Sequence, residues 1–261
     1  KVKYNKTIMN KTHVIFVMKL KAGIIGMPNV GKSTIFNALT KSAIPAENYP
    51  FCTIDPNIGI VQVPDQRLND ISDIIERKPI TPVTVEFIDI AGLVRGASRG
   101  EGLGNQFLSH IRDVDAIIHV IRSFKEENVT HLEGNLNPVR DIETIETELL
   151  MRDLSTVEKR IEKLNKTARI GHKESKEELK VLHIIYPQMN KNKLAHDIQL
   201  DSNQRNIIQP LSLLTNKPIL YVVNVDENEI TAEKRSPELQ KLIDFAEKRG
   251  NAAIQLCGKL E

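Results

Sequence analysis

Apolar positions in the first half of the chain fall in short blocks separated by polar loops. Residues 20–26 read LKAGIIG, a strand that ends in glycine. Residues 32–41 (KSTIFNALTK) space Ile35, Phe36 and Leu39 at helical intervals, which predicts a helix with those three inward. IGIVQV and VTVEFID are rich in β-branched residues and predict further strands. AIIHVI at 116–121 is apolar throughout, as a strand buried on both faces should be, and PILYVV at 218–223 repeats the pattern. In SPELQKLIDFAEKRG, Ser236 is placed as N-cap, Pro237 at the first helical position and Gly250 just past the end. AAIQLC closes the run as a short strand. Strands alternating with helices predict an α/β fold with a doubly wound, mostly parallel sheet.

Residues 139–211 break this rhythm. Ile142, Ile145 and Leu149, then Leu150, Leu154, Val157, Ile161 and Leu164, recur at steps of three and four, with one shift of register between Leu149 and Leu150. This is the pattern of a long amphipathic helix with coiled-coil character. Gly171 breaks it, and a second helix is expected to run inward on Leu179, Leu182, Ile185 and Tyr186 until Pro187. The chain is therefore expected to divide into an extension at 1–17, a doubly wound α/β domain at 18–138 and 212–261, and an inserted helical hairpin at 139–211.

Charge changes the picture locally. The net charge is only +2, so bulk charge does not mark a nucleic-acid binder, and no DNA partner is expected. Within the insert, residues 140–158 hold six acids against two bases, whereas residues 159–193 hold ten Lys or Arg against four Glu. The basic half, which includes Lys159, Arg160, Lys163 and Lys166, either meets a phosphate backbone such as RNA or simply solvates an exposed hairpin. Residues 1–21 carry six Lys and no acid. They are either the remains of an organelle transit peptide or a leader before a domain starting at Met18, and the near absence of Arg and Ser favours the leader. Cys52 and Cys257 show no zinc or CxxC spacing, so a reducing, cytoplasmic setting is expected, with an organelle as the alternative. No apolar run approaches the ~20 residues that span a bilayer, so no membrane partner is expected.

The densest chemistry lies at 26–34, GMPNVGKST. This is G-x-x-x-x-G-K-S/T between a strand and a helix, the context that makes it a phosphate-binding loop. Gly26 and Gly31 let backbone N–H groups turn inward as an anion nest, and the following helix adds its positive N-terminus. Asn29, Val30, Gly31, Lys32, Ser33 and Thr34 are thus candidate nucleotide-binding residues. Lys32 is the candidate catalytic cation on the β- and γ-phosphates, and Ser33 a candidate Mg²⁺ ligand. FIDIAG (87–92) ends a strand in D-x-x-G, which makes Asp89 a candidate Mg²⁺ ligand through water and the Gly92 N–H a γ-phosphate sensor. Upstream, Thr53 is a candidate second Mg²⁺ hydroxyl on a loop that orders around the γ-phosphate, with Ser42 a weaker rival.

GIIGMPNVGKSTIFNALT, NYPFCTIDPNIGIVQVPDQRL and TVEFIDIAGLVRGASRGEGLGNQFLSHIRDVDAIIHVIR together resemble the YchF/Obg-like ATPase 1 family of P-loop nucleoside triphosphatases. THLEGNLNPVRDIETIETELLMRDL extends the resemblance into the insert, and it weakens over about 169–209. The resemblance implies hydrolysis of a nucleoside triphosphate, Mg²⁺, ribosome association and a role in translation or stress responses. The family continues into a C-terminal TGS domain, before which this sequence stops. Asn29 resembles the asparagine that binds an activating K⁺ in related NTPases. His110 is the family's candidate for orienting water, since Leu93 and Val94 stand where many relatives carry Gln or His; its alternative is a helix-surface histidine. Arg95 and Arg99 are candidate stabilisers of transition-state charge, or merely solvated loop arginines.

The base site is expected in NVDE, residues 224–227. A guanine site there reads N-K-x-D. Here Val225 replaces the lysine and Glu227 the aspartate, and the extra methylene moves the carboxylate by about 1.5 Å. That spoils a bidentate bond to guanine. Asn224 is expected to face adenine N6 and N7, Asp226 is a rival contact, and the resemblance also points to ATP over GTP. The alternatives are a GTPase of the wider Obg group and a ribosome- or RNA-binding module set by nucleotide. A small-molecule kinase would leave D-x-x-G unexplained.

Overall fold

A computed structural model describes residues 9–10, 13–14, 19–41, 57–75, 80–90, 111–124, 137–168, 172–232 and 234–261. Six strands form one sheet: β1 (Lys19–Gly26), β2 (Ile58–Gln62), β3 (Thr84–Asp89), β4 (Ala116–Ser123), β5 (Ile219–Val225) and β6 (Ala252–Leu256). Their order is β2-β3-β1-β4-β5-β6. Only β2 runs antiparallel to its neighbour; the other four ladders are parallel. The sheet is thus doubly wound and mostly parallel, as the alternating pattern implied. Near the chain start, Met9–Asn10 pairs with His13–Val14 in a separate antiparallel ladder.

Alternate residues of the central strands feed two cores. On one face Ile117, Ile121, Tyr221, Val223 and Val225 pack with Ile142, Ile145 and Leu149 of helix α3 (Pro138–Ala168) and with Leu239, Leu242 and Ala246 of a C-terminal helix, Pro237–Lys248. On the other face Ala22, Ile24, Ile118, Val120 and Val222 pack with Ile35 and Phe36 of α1 (Lys32–Thr40). Two-sided burial explains why β4 and β5 read as unbroken apolar runs. Leu39 departs from expectation and is 37% exposed. The last turn of α1 meets the sheet through Thr40 instead: a Cβ added at Gly59 would lie 2.0 Å from its methyl carbon. A short helix, α2 (Gln66–Ile74), follows β2, with the Asp65 carboxylate accepting from the Arg67 N–H at its start.

Helix α3 has 31 residues and is roughly 45 Å long. Its register shift has a physical meaning. Ile142, Ile145 and Leu149 belong to the sheet core, whereas Leu150, Val157 and Leu164 belong to a separate core with helix α4 (Lys173–Met189). The slip between Leu149 and Leu150 is where the helix leaves the sheet and becomes one arm of a hairpin. Helix α4 contributes Val181, Leu182, Ile185 and Met189 to that core, with Leu179 and Tyr186 packed at its margin. It also passes through Pro187 rather than ending there. The proline lies in the last turn, where it removes a single backbone bond, and the Asn190 N–H and side-chain amide both donate to the Tyr186 carbonyl at 3.0 Å. A short helix α5 (Ser202–Ile208) with an Asp201/Gln204 capping box closes the hairpin core. The C-terminal helix begins as predicted, with Ser236 Oγ accepting from the Leu239 N–H and Gly250 at φ 70° just beyond its end.

Leu182→Ala in the hairpin core is expected to cost about 2–5 kcal/mol by denaturant titration, while the neighbouring exposed Ile184→Ala stays within about 0.5 kcal/mol.

Candidate functional site

Strand β1 ends at Gly26 and α1 starts at Lys32, so the turn between them lies at the carboxyl edge of the sheet. There β1 has β3 on one side and β4 on the other, the point at which α/β sheets open a crevice. Gly31 precedes α1 at φ 89°, and Asn29 also has positive φ, 62°. A Cβ at position 31 would lie 2.2 Å from Asn224 Nδ2, so the loop needs glycine there both for its backbone and for space.

The register places Asp89 opposite Ile24, two residues before Gly26. As a result three expected groups meet. Lys32 Nζ pairs with Asp89 Oδ1, and Ser33 Oγ donates to Asp89 Oδ2 at 3.3 Å. The Lys32 and Asp89 side chains are only 12% and 13% exposed, so their charges meet in a partly desolvated site. Ser33 and Asp89 offer hard oxygen donors of the kind Mg²⁺ uses when phosphates and waters complete its shell. Among the described residues no cluster of three or more His, Cys, Asp or Glu stands ready to hold a metal by itself. Thr53, Gly92 and His110 lie outside the described residues, as do Ser42, Leu93, Val94, Arg95 and Arg99.

Asn224 has a structural role besides the base contact expected of it. It is 5% exposed at the end of β5. Its Nδ2 donates to the Val30 carbonyl at 3.0 Å, and its Oδ1 accepts from the Gly258 N–H at 3.0 Å. Each amide atom makes one of the two bonds open to it, which leaves one N–H and one oxygen lone pair beside the cavity that Asn224 lines. The side chain ties the phosphate loop to the turn after β6. Val225 is 2% exposed and packs in the sheet core, so its position is not an open slot awaiting a lysine. Glu227 is exposed and opens a five-residue helical turn, Glu227–Thr231, with Asp226 before it.

These residues border a cavity of about 410 Å³ at the strand ends. Asn29, Gly31 and Thr34 form its phosphate-side wall, and Asn224 to Asn228 its floor. Phe124, Cys257, Gly258 and Lys259 complete it. Phe124 and Lys259 were not singled out from sequence, although Phe124 directly follows β4 at the same carboxyl edge. The Arg122 guanidinium lies 4.5 Å from the Phe124 ring centre, and its Nε donates to the Phe124 carbonyl at 3.1 Å, which fixes that wall. The volume falls within the ~300–1,000 Å³ range of small-ligand sites.

Comparison with known proteins shows the family to which the fold belongs. The family described as 50S ribosome-binding GTPase matches residues 21–159. The ribosome-binding ATPase YchF of Bacillus subtilis (strain 168) is 47% identical over 244 residues, which is 94% of this chain and 67% of that protein. The ribosome-binding ATPase YchF of Escherichia coli O157:H7 is 46% identical over the same share of this chain and 66% of its own length. The solved structure of the Schizosaccharomyces pombe YchF GTPase superposes with a TM-score of 0.75 at 38% identity, covering 99% of this chain and 68% of that one. The chain thus spans about two-thirds of the length of these relatives.

Asn224→Ala should weaken ATP and GTP binding together, by roughly tenfold or more, because it frees the loop rather than a base contact. Fluorescent-nucleotide titration checks this; a loss confined to one nucleotide would mark Asn224 as a base reader.

Proposed function

The chain belongs to the YchF family of P-loop nucleoside triphosphatases, and from that premise we propose that it hydrolyses ATP, in preference to GTP, to ADP and phosphate as a nucleotide-dependent switch at the ribosome. The observation that carries this reading is the meeting of Lys32, Ser33 and Asp89 beside a base-sized cavity. In the chain as it stands, Lys32 and Asp89 neutralise each other. A bound nucleotide separates them: Lys32 turns to the β- and γ-phosphates, while Asp89 and Ser33 are left as oxygen donors for Mg²⁺. That ion, when bound, offsets the negative charge of the phosphates. Inward N–H groups of the loop and the α1 N-terminus hold the phosphate oxygens. In the reaction a water oxygen bonds to the γ-phosphorus, the bond to the β–γ bridging oxygen breaks, and ADP leaves. Thr53 is proposed as the second hydroxyl at Mg²⁺, the Gly92 N–H as the γ-phosphate sensor and His110 as the group that orients the water.

The preference for ATP rests on Glu227 in the place of the guanine-reading aspartate and on Val225, whose burial leaves no lysine along the base. Asn29 borders the cavity and is the proposed K⁺ ligand; replacing K⁺ by Na⁺ tests it through the turnover rate. The ribosome is the proposed partner, with RNA meeting the basic half of the hairpin. Lys159, Lys163 and Lys166 are exposed there. Arg160 is already engaged in a two-pronged pair with Glu178 of α4, at 2.6 and 2.7 Å, and so clamps the two helices together. A cytoplasmic setting goes with this reading, and no helix among the described residues is long and apolar enough to cross a membrane.

Phosphate release should be faster from ATP than from GTP and fall to background in Lys32→Ala. Glu227→Asp should narrow the ATP-to-GTP affinity ratio by about tenfold, or ~1.4 kcal/mol. Tighter binding of GTP than ATP by the unaltered chain would overturn the ATP assignment. Reversing the charges of Lys159, Lys163 and Lys166 should weaken ribosome co-sedimentation with hydrolysis unchanged.

A further inference from the structure

A second polar centre is buried away from the nucleotide cleft, where α3 leaves the sheet. The Asp153 side chain, 1% exposed, accepts from the Leu214 N–H at 2.8 Å, the Thr215 N–H at 2.8 Å and the Thr215 hydroxyl at 2.7 Å. Those residues form the 3₁₀ turn Leu214–Asn216, which leads directly into β5. Lys217, next in the chain, donates to the carbonyls of Arg112 at 3.0 Å and Val114 at 2.5 Å. Arg112 in turn reaches back to α3, its Nη2 lying 3.4 Å from Thr156 Oγ1. Three parts of the molecule thus meet within a few residues. One is the segment at 111–114, which leads into β4. Another is the helical arm. The third is the turn that starts the strand ending at Asn224.

A buried carboxylate is an expensive way to fill a core, and an apolar side chain there would pack without that cost. Burial pushes the Asp153 carboxyl up to about 6, against the pull of the three donors and the Arg112 charge. What the carboxylate adds is geometry, because two consecutive backbone N–H groups and a hydroxyl must all converge on it. Seven residues earlier, on the same face of α3, Glu146 makes a comparable anchor. It accepts from the Tyr221 hydroxyl of β5 at 3.0 Å and from Arg249 at 2.6 Å, just before β6. The arm is therefore fastened by two buried acids to the two strands whose far ends carry Asn224 and Gly258, and at one of them also to the 111–114 segment. Nucleotide binding must break the Lys32–Asp89 pair, so the two states differ at the end of β3.

We propose that Asp153 is a positioning residue that couples nucleotide occupancy to the helical arm. The inference rests on the nucleotide-binding reading above, and its test separates the two. Nucleotide affinity is measured by titration, and amide hydrogen exchange in residues 150–168 and 173–189 is followed with Mg²⁺ alone, with Mg²⁺ and ADP, and with Mg²⁺ and a non-hydrolysable ATP analogue. In the unaltered chain, nucleotide should change exchange in the arm by roughly fivefold or more. Thr215→Val removes the hydroxyl's bond to Asp153 and its acceptance from the Ala195 N–H, keeps both backbone N–H bonds to Asp153, and should abolish that response with nucleotide affinity held within about threefold, whereas Thr215→Ser, which retains the hydroxyl, should restore it. Asp153→Asn should abolish it too; if that variant does not fold, the Thr215 pair decides. Tight nucleotide binding with no arm response in the unaltered chain, or a full response in Thr215→Val, overturns the coupling. Absence of nucleotide binding overturns the function reading, and the coupling with it.

Discussion

The Asn224 carboxamide joins two loops that the chain itself keeps far apart. Its amide hydrogen goes to the Val30 carbonyl, 194 residues away, and its oxygen takes the Gly258 N–H, 34 residues away. Both bonds are buried, so breaking either strands a polar group without water, at a cost of about 1–3 kcal/mol. The phosphate loop, the end of β5 and the turn after β6 therefore behave as one body. Glycine at 31 follows from the same contact, since the asparagine occupies the space a side chain would need. A preformed loop of this kind spends little ordering entropy when a nucleotide arrives, which is the usual route to tight phosphate binding.

Electrostatics completes the cleft. Lys32 at the start of α1 and Asp89 at the end of β3 meet at the carboxyl edge of the sheet. The two charges satisfy each other between the helix and the strand. On the reading proposed above, nucleotide binding is an exchange of partners by this pair rather than a simple addition. On the opposite side of the sheet plane the hairpin is rooted by apolar residues first and by buried acids second. Ile142, Ile145 and Leu149 supply the burial, whereas Glu146 and Asp153 fix which strands the helix is held against.

Much of this was legible in the sequence because it rests on local periodicity. The apolar runs of β4 and β5, the caps of the last helix and the strand–loop–helix setting of the phosphate loop are all short-range signals. So was the slip at Leu149–Leu150, although its meaning, a change of packing partner, needed the fold. The bonds of Asn224 to Val30 and Gly258 were not legible, because a side-chain amide takes partners that strand register brings in from elsewhere. Phe124 and Lys259 escaped notice for a similar reason: they share a cavity only because β4 and β6 end at the same edge. Glu146 and Asp153 were not singled out, and Arg160 was grouped with the bases that either meet RNA or solvate the hairpin. Periodicity assigns a face to a residue but cannot say which face meets polar partners when both are covered.

The structure of the chain with Mg²⁺ and a non-hydrolysable ATP analogue bound tests the central claim most directly. The account predicts that Asn224 keeps its bonds to Val30 and Gly258, while Lys32 has left Asp89 for the β- and γ-phosphates and the base lies between Phe124 and Glu227. An Asn224 amide turned onto the base, with Lys32 still held by Asp89, would contradict it.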